Sequence, residues 1–155
     1  MKLAKRMADA VASLAVAAVI AHYACHADSD VSRDILIHSS PQTVWKNPMI
    51  NQIAGELREG NTIVVDQWMI FHPMILACRE NQELRWKGHV GMPGIFDGEH
   101  RFVLQPQGAG TRLIQSERFS GIMCGRLSRG IIDETAASMK EMNAALKVRA
   151  ESQTR

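Results

Sequence analysis

The sequence lacks a strong excess of charge of either sign. Its 155 residues carry a formal net charge of +2 at pH 7, which gives little general attraction for polyanions. Beyond the basic amino terminus there is no Lys/Arg run and no basic stripe with interleaved aromatic residues. We therefore expect no nucleic-acid partner. Hydrophobic residues at 46% and charged residues at 22% are ordinary globular values, so the chain fits one domain with a sizeable core.

The sequence also lacks a recognisable catalytic motif. Its six histidines are scattered, and there is no nucleophile elbow, phosphate-binding loop or zincin helix. The nearest approach to a metal site is His22, Cys25 and His26, which would share one face of a helix and suit zinc. This group has no obvious fourth ligand, so we predict neither a metal site nor a cofactor.

Cysteine is scarce, with three residues in the chain. If Cys25 is removed with an export signal, Cys78 and Cys124 remain and could pair in an exported protein. The sequence does not show that their Cα atoms approach within the roughly 4.4–6.8 Å that a disulfide needs. Two buried free thiols are the simpler expectation.

Residues 1–27 differ in composition from the rest of the chain. Lys2, Lys5 and Arg6 form a basic head, an apolar run extends from Ala10 to Ala21, and Ala27 is a small residue suited to cleavage. This is the plan of a secretory signal, and the run is shorter than the roughly 20 apolar residues of a transmembrane span. We expect the segment to export the protein or tether it to a membrane. The alternative is an N-terminal helix retained in a cytoplasmic protein.

The remaining chain divides into a linker at 28–33, one domain at 34–151 and a tail at 152–155. The domain opens with a short strand at Asp34–His38. A short helix follows, for which Ser40 is a suitable N-cap and Pro41 suits the first position.

Two kinds of periodicity fill the rest of the domain. From Ile50 to Ser120 the pattern is that of strands joined by short turns, which favours an antiparallel meander. Gly130–Glu151 has apolar residues at spacings of three and four, which predicts an amphipathic helix of roughly five turns. One curved sheet with one long helix is the economical α+β architecture.

Several segments occur in the same order as in a known superfamily. They are SPQTVW, IAGELREG, ELRWKGHVGMPGIFDGEHRFVLQP, TRLIQSERFSG and MNAALKVRAE, of which GIFDGEHRF and SERFSG are the most specific parts. From Asp34 to Glu151 the chain resembles the SRPBCC, or START-like, superfamily, close to its polyketide cyclase/dehydrase and lipid-transport branch. The resemblance implies a helix-grip fold. In that fold an antiparallel sheet of about six or seven strands curls around the C-terminal helix and encloses an apolar cavity.

The chain departs from this superfamily after Trp45. Its members usually carry further residues there, which complete one short helix, form a second and close one end of the cavity. In this chain Trp45 is followed almost at once by Asn47-Pro48. The resemblance therefore implies a cavity that is open, reduced, or closed by the N-terminal segment.

Strand alternation selects the residues that would face the cavity. It places Asp97, Glu99 and Arg101 on the water side of their strand, opposite a face that includes several aromatic residues. In a helix-grip fold that face is core and cavity lining together. The predicted ligand-binding residues are Trp86, Phe96, His100, Phe102, Leu104, Leu113, Glu117, Phe119, Met139 and Met142.

His100 and Glu117 are the polar members of this set. If both point inward from neighbouring strands, they would hydrogen-bond a ligand or form an acid/base pair. The simpler alternative is that His100 satisfies a backbone carbonyl and Glu117 pairs with an arginine. The leading hypothesis is non-enzymatic binding or carriage of a lipid- or polyketide-like molecule. The alternatives are a cyclase/dehydratase-like enzyme that uses these two residues, and an interaction domain that has lost its cavity.

Overall fold

A computed structural model of the chain describes residues 13, 29–47, 53–66 and 70–153. For residues 66, 70 and 125–129 it describes the backbone only. The predicted export or anchor segment, with the candidate zinc ligands His22, Cys25 and His26, therefore lies outside the described residues apart from Ser13. Within the described ranges, no helix combines the length and hydropathy that crossing a membrane requires.

The order of the elements in the described chain agrees with the sequence periodicity, which predicts mainly strands followed by one long helix. In chain order they are β1 (Ser29–Ile37), α1 (Pro41–Lys46), β2 (Ile53–Ala54), β3 (Val64–Asp66), β4 (Ile70–Phe71), β5 (Met74–Arg79), β6 (Glu83–Val90), β7 (Phe96–Gln107), β8 (Gly110–Ser120) and α2 (Cys124–Ser152).

Five antiparallel strands form the main sheet, in the order β1-β8-β7-β6-β5. The three short strands form a second sheet, in the order β2-β3-β4. The chain before β3 also runs beside β5, because the Ile63 amide donates to the Pro73 carbonyl at 3.0 Å and the Ile75 amide to the Asn61 carbonyl at 2.9 Å. The predicted antiparallel α+β architecture is confirmed, but its strands are divided between two sheets instead of one.

Both ends of the predicted domain need correction. The first strand begins at Ser29, so most of the predicted linker at 28–33 belongs to β1 and pairs with β8. This part of β1 is polar apart from the buried Val31, which hides its strand character. The helix ends at Ser152, so the predicted tail at 152–155 loses its first residue.

The two helices were predicted with unequal success. In α1 the Ser40 Oγ accepts the Thr43 amide at 3.2 Å, and Pro41 occupies the first turn, which confirms that prediction. The long helix begins at Cys124, six residues before the predicted start at Gly130. Its N-cap residue, Met123, makes no side-chain capping hydrogen bond, so the sequence carries no signal for this start.

The core is densely packed at one end of the sheet. There Ile37, Val44, Leu104, Leu113 and Leu146 are all at most 4% exposed and form one cluster. Hydrogen bonds close the same end, since the Ser39 Oγ donates to the Ala150 carbonyl at 3.0 Å and the Thr111 Oγ1 donates to the Ser39 carbonyl at 2.7 Å. The opposite end holds a separate cluster of Val31, Phe96, Phe119, Cys124, Ala136 and Met139. A cavity lies at this opposite end.

Candidate ligand-binding cavity

The cavity has a volume of about 670 Å³ and lies between the main sheet and the part of α2 that extends from Ile131 to Met142. This volume is within the range of about 300–1,000 Å³ that is usual for small-molecule sites. Much of its wall is apolar, and the large apolar side chains that line it include Phe71, Trp86, Ile95, Phe96, Phe119 and Met142. Transfer of an apolar ligand from water to such a wall is favourable by roughly 25 cal/mol for each Å² of apolar surface that is buried.

Two glycines on neighbouring strands help to open this space. Gly88 and Gly98 are directly paired in the β6–β7 register, and both line the cavity. A Cβ atom added to Gly98 would lie 2.7 Å from the Glu117 Oε1, which is closer than packed atoms allow. The missing side chain at Gly98 therefore leaves room for the Glu117 carboxylate.

Six of the ten predicted ligand-binding residues line the cavity. They are Trp86, Phe96, His100, Glu117, Phe119 and Met142. Phe102, Leu104 and Leu113 instead lie in the densely packed cluster, further along the same strands. Met139 is fully buried among the neighbouring core residues and is also absent from the cavity wall. Alternation identifies which side chains of a strand face inward. It does not show which of them pack in the core and which line the cavity.

The sequence prediction missed several wall residues. Ile131 and Thr135 belong to the apolar helix face that the sequence shows, and Ser138 continues it toward Met142. The helical spacing of this face was the signal that would have found them. Val65 and Phe71 come from the short strands of the second sheet, for whose placement the sequence offers no comparable signal.

His100 is held from several sides at the cavity wall. Trp86, His100 and Glu117 occupy one row across β6, β7 and β8. The His100 Nδ1 hydrogen-bonds the Glu117 Oε2, and the His100 Nε2 lies 2.8 Å from the Gln115 Nε2. The Trp86 ring stacks on the imidazole with centroids 5.0 Å apart, and the Phe102 ring lies 4.8 Å away. The imidazole is therefore fixed in position and is only 7% exposed.

These contacts replace the simpler alternatives for the two polar residues. His100 binds a carboxylate and an amide instead of a backbone carbonyl, and Glu117 pairs with His100 instead of an arginine. In the observed orientation the Gln115 NH₂ group donates to the His100 Nε2, so the imidazole proton lies on Nδ1 and is donated to Glu117. The buried Gln115 Oε1 has no partner among the described residues. A half-turn of this amide would let Oε1 accept a proton from Nε2, so Gln115 suits either protonation state of His100.

The cavity has a mouth at the end of the sheet where β6 stops and α2 begins. Its wall there includes Val90 and Met123, which are 41% and 39% exposed. The two loops that frame the mouth are bonded together, because the Ile122 amide donates to the Gly94 carbonyl at 3.0 Å and the Met123 amide donates to the Ile95 carbonyl at 2.9 Å. The described residues therefore leave the cavity open at this end, which is opposite the end where α1 packs.

Asp97 fixes one of these loops and corrects a sequence prediction. It was expected to face water, but it is 7% exposed. Its Oδ1 accepts the Gly94 amide at 2.8 Å, and its Oδ2 lies 3.0 Å from the Lys87 Nζ. Burial alone would raise the pKa of Asp97, but the Gly94 amide and the Lys87 ammonium stabilise the carboxylate and bring the pKa below its ordinary value of 3.8.

Neither a metal cluster nor a disulfide occurs in the described part of the chain. No group of three or more His, Cys, Asp or Glu side chains in it is arranged to hold a metal ion. Cys78 and Cys124 are both free, the first half-buried and the second buried. Burial, followed by the nearby Glu80 carboxylate, raises the pKa of the Cys78 thiol, which makes it a poor nucleophile.

Comparisons with known proteins find similarity in structure but not in sequence. No protein-family model matches the chain, and no curated protein is significantly similar to it. Among solved structures, it is similar to protein MLL2253 from Mesorhizobium loti, with a TM-score of 0.67 and 16% identity over 80% of this chain and 98% of that chain.

Two further neighbours have recognised relatives. Ara h 8.0201, a Bet v 1-like protein, aligns with a TM-score of 0.62 and 14% identity over 81% of this chain and 99% of that chain. CalU16 from Micromonospora echinospora, which is polyketide cyclase-like, aligns with a TM-score of 0.59 and 18% identity over 82% of this chain and 78% of that chain. The chain thus adopts the helix-grip fold.

Proposed function

We propose that this protein binds and carries a hydrophobic small molecule, lipid- or polyketide-like, in the cavity between its sheet and its C-terminal helix. The observation that carries the proposal is a cavity of about 670 Å³ with large apolar walls and one imidazole–carboxylate pair. Small-molecule sites usually combine an apolar wall with a few placed polar groups. The presence of the cavity favours ligand binding over an interaction domain that has lost it.

A second candidate function is catalysis of the cyclase/dehydratase type. The observation that favours it is the contact between His100 and Glu117, with Gln115 able to support either protonation state of the imidazole. A general acid or base typically contributes about 10²–10⁴-fold in rate. We favour carriage because the hydroxyl groups of Thr135 and Ser138, which also line the wall, have no hydrogen-bonded base beside them among the described residues.

We also propose that residues 1–27 export the protein or tether it to a membrane. The first described strand begins at Ser29, so cleavage after Ala27 would leave β1 complete. Ser29 pairs with Phe119, which lines the cavity, so the segment joins the fold at the end that carries the mouth. A membrane tether at this position would bring the mouth near the lipid surface.

The carrier proposal is tested by native mass spectrometry of the purified protein. We expect a fraction of the protein to carry an additional mass of a few hundred daltons, which is lost on denaturation and extracts into organic solvent. If only the bare polypeptide mass appears, both after purification and after incubation with a bacterial lipid extract, the proposal is wrong.

A further inference from the structure

The ionisable side chains on the described cavity wall are two carboxylates and two histidines, His89 and His100. Glu117 and Glu134 both line it, and no lysine or arginine does so among the residues whose side chains are described. We infer that the ligand's polar end is a hydrogen-bond donor, with a protonated amine preferred, a hydroxyl next and a carboxylate disfavoured. This inference rests on the proposed binding function and specifies the chemical class of the ligand.

The Glu117 carboxylate receives one hydrogen bond at the wall, from the His100 imidazole. The Gln115 Nε2 lies 2.8 Å from the His100 Nε2, so both imidazole nitrogens are occupied by protein groups. The proton on Nδ1 is donated to Glu117. The imidazole therefore has no free nitrogen for a ligand. The remaining acceptor capacity of the pair belongs to the Glu117 carboxylate, which in a partly desolvated cavity needs a further hydrogen-bond partner.

One oxygen of Glu117 remains available to a ligand. Oε2 is occupied by His100, whereas Oε1 accepts no hydrogen bond from the described residues. Oε1 lies over Gly98, where an added Cβ would approach within 2.7 Å, and Gly98 and Glu117 both line the cavity. The Glu117 side chain is 17% exposed, so water competes only weakly for this oxygen. A donor on the ligand would complete its hydrogen bonding, and an ammonium group would form a charge-assisted bond.

An anionic head group meets the opposite situation. A ligand carboxylate beside Glu117 would bring two carboxyl groups together, and no lysine or arginine side chain of the described wall would compensate their charge. Like-charge contacts of this kind discriminate strongly against the wrong ligand. Glu134, which is exposed on α2, is the second carboxylate of the wall.

The test compares three probes with the same chain length: dodecylamine, dodecanol and dodecanoate. Each is titrated at pH 7 against a naphthalene dye bound to the full chain, below the concentration at which the probe forms micelles. We expect dodecylamine to bind about tenfold or more tightly than dodecanoate, with dodecanol between them, because hydrogen bonds to charged groups are the stronger class. The order in the unmodified protein decides the inference without any variant.

Variants identify the responsible carboxylate. Glu117→Gln removes the charge and keeps the size, and we expect it to reduce the amine-to-carboxylate ratio by about tenfold. Glu99→Gln is the matched control, because Glu99 lies on the other face of β7, where it pairs with Arg85 at 3.3 Å. That variant should preserve the ratio.

The outcomes separate the two proposals. If dodecanoate binds as tightly as dodecylamine or more tightly, the inferred preference for a hydrogen-bond donor is wrong, but the proposal that the cavity binds a ligand is not contradicted. If none of the three probes displaces the dye and the dye itself does not bind, the binding function is wrong. If the preference is present but Glu99→Gln abolishes it and Glu117→Gln does not, Glu117 is not its source.

Discussion

His100 and Glu117 face each other directly across the β7–β8 hairpin, and the His100 Nδ1 hydrogen-bonds the Glu117 Oε2 at the wall of the cavity. This contact places an ionisable pair beside an apolar space, with the Trp86 ring stacked on the imidazole. The pair has two possible roles, orientation of a bound ligand and proton transfer. The two roles make different demands on the titrating groups.

The first prediction concerns the substitutions His100→Gln and Glu117→Gln. Both retain much of the size and some hydrogen bonding, so both variants should fold. For dodecanol, we expect each to lose less than about tenfold in affinity, because a neutral hydrogen bond contributes about 0.5–1.5 kcal/mol net. Calorimetric titration measures the affinity, and circular dichroism checks the fold. Turnover of a polyketide-like substrate by the parent, abolished in either variant, would instead identify the pair as catalytic.

The second prediction concerns the space at Gly98. In Gly98→Ala the new methyl group would lie 2.7 Å from the Glu117 Oε1, so the carboxylate must shift away from its present position. We expect a loss of about 1–3 kcal/mol in the free energy of unfolding, as for other overpacked sites, and a weaker preference for amine ligands. Urea unfolding and the probe titration measure the two effects.

The control for this prediction is Gly130→Ala. Nothing lies within 4 Å of a Cβ at Gly130, which is exposed in α2. Alanine is the better helix former, so this substitution should stabilise the protein by about 0.5–1 kcal/mol. If both substitutions changed the free energy of unfolding by the same amount, the role given to Gly98 would be contradicted.

The third prediction concerns the loop that Asp97 holds at the mouth. Because the pKa of Asp97 is lowered in the folded protein, its stabilising effect is fully present above its ordinary value of 3.8 and is lost as the pH falls through the lower folded value. Asp97→Asn should therefore lower the free energy of unfolding at pH 7 by about 1–2 kcal/mol. The difference from the parent should shrink toward pH 2.

Urea unfolding across this pH range provides the measurement. The control is Asp34→Asn, since Asp34 forms an ion pair with Arg112 in which both side chains are about half exposed. Exposed pairs of this kind contribute about 0–1 kcal/mol. A constant difference between Asp97→Asn and the parent at all pH values would show that the Asp97 charge does not stabilise the fold.

The fourth prediction concerns the N-terminal segment. If residues 1–27 are a cleaved signal, the protein recovered from its native host should begin near Asp28, outside the cytoplasm. If they are a tether, the intact chain should sediment with membranes. Mass determination of the N-terminal peptide after fractionation distinguishes the two. An intact Met1 in the soluble cytoplasmic fraction would contradict both.

The β-hairpin shows how much of the site the sequence could predict. The turn at Gly108-Ala109 joins two alternating strands, and His100 and Glu117 lie eight residues before and eight residues after it. Alternation and turn position together therefore predicted that the two side chains face inward from adjacent strands. The same alternation did not show that Leu104 lies in the packed core whereas Phe96 lines the cavity. That difference depends on which other elements cover each end of the sheet, and the pattern within one strand does not contain it.

Other features were beyond sequence reasoning for different physical reasons. The polar beginning of β1 is a strand because β8 supplies its backbone partners, from Ser29 paired with Phe119 onward. Asp97 is buried because Lys87 and the Gly94 amide compensate its charge. Gly98 matters because of an atom from another strand. Each of these depends on contacts between residues distant in sequence.

The central claim is that the cavity binds a ligand, and obstruction of the cavity tests it most directly. Thr135 lines the cavity from α2 and is half-buried, whereas Ala137 is exposed on the same helix and does not line it. A naphthalene dye should bind the parent and Ala137→Trp with one site of micromolar affinity, while Thr135→Trp, still folded by circular dichroism, should lose most of that binding. Equal saturable binding by all three proteins would contradict the account.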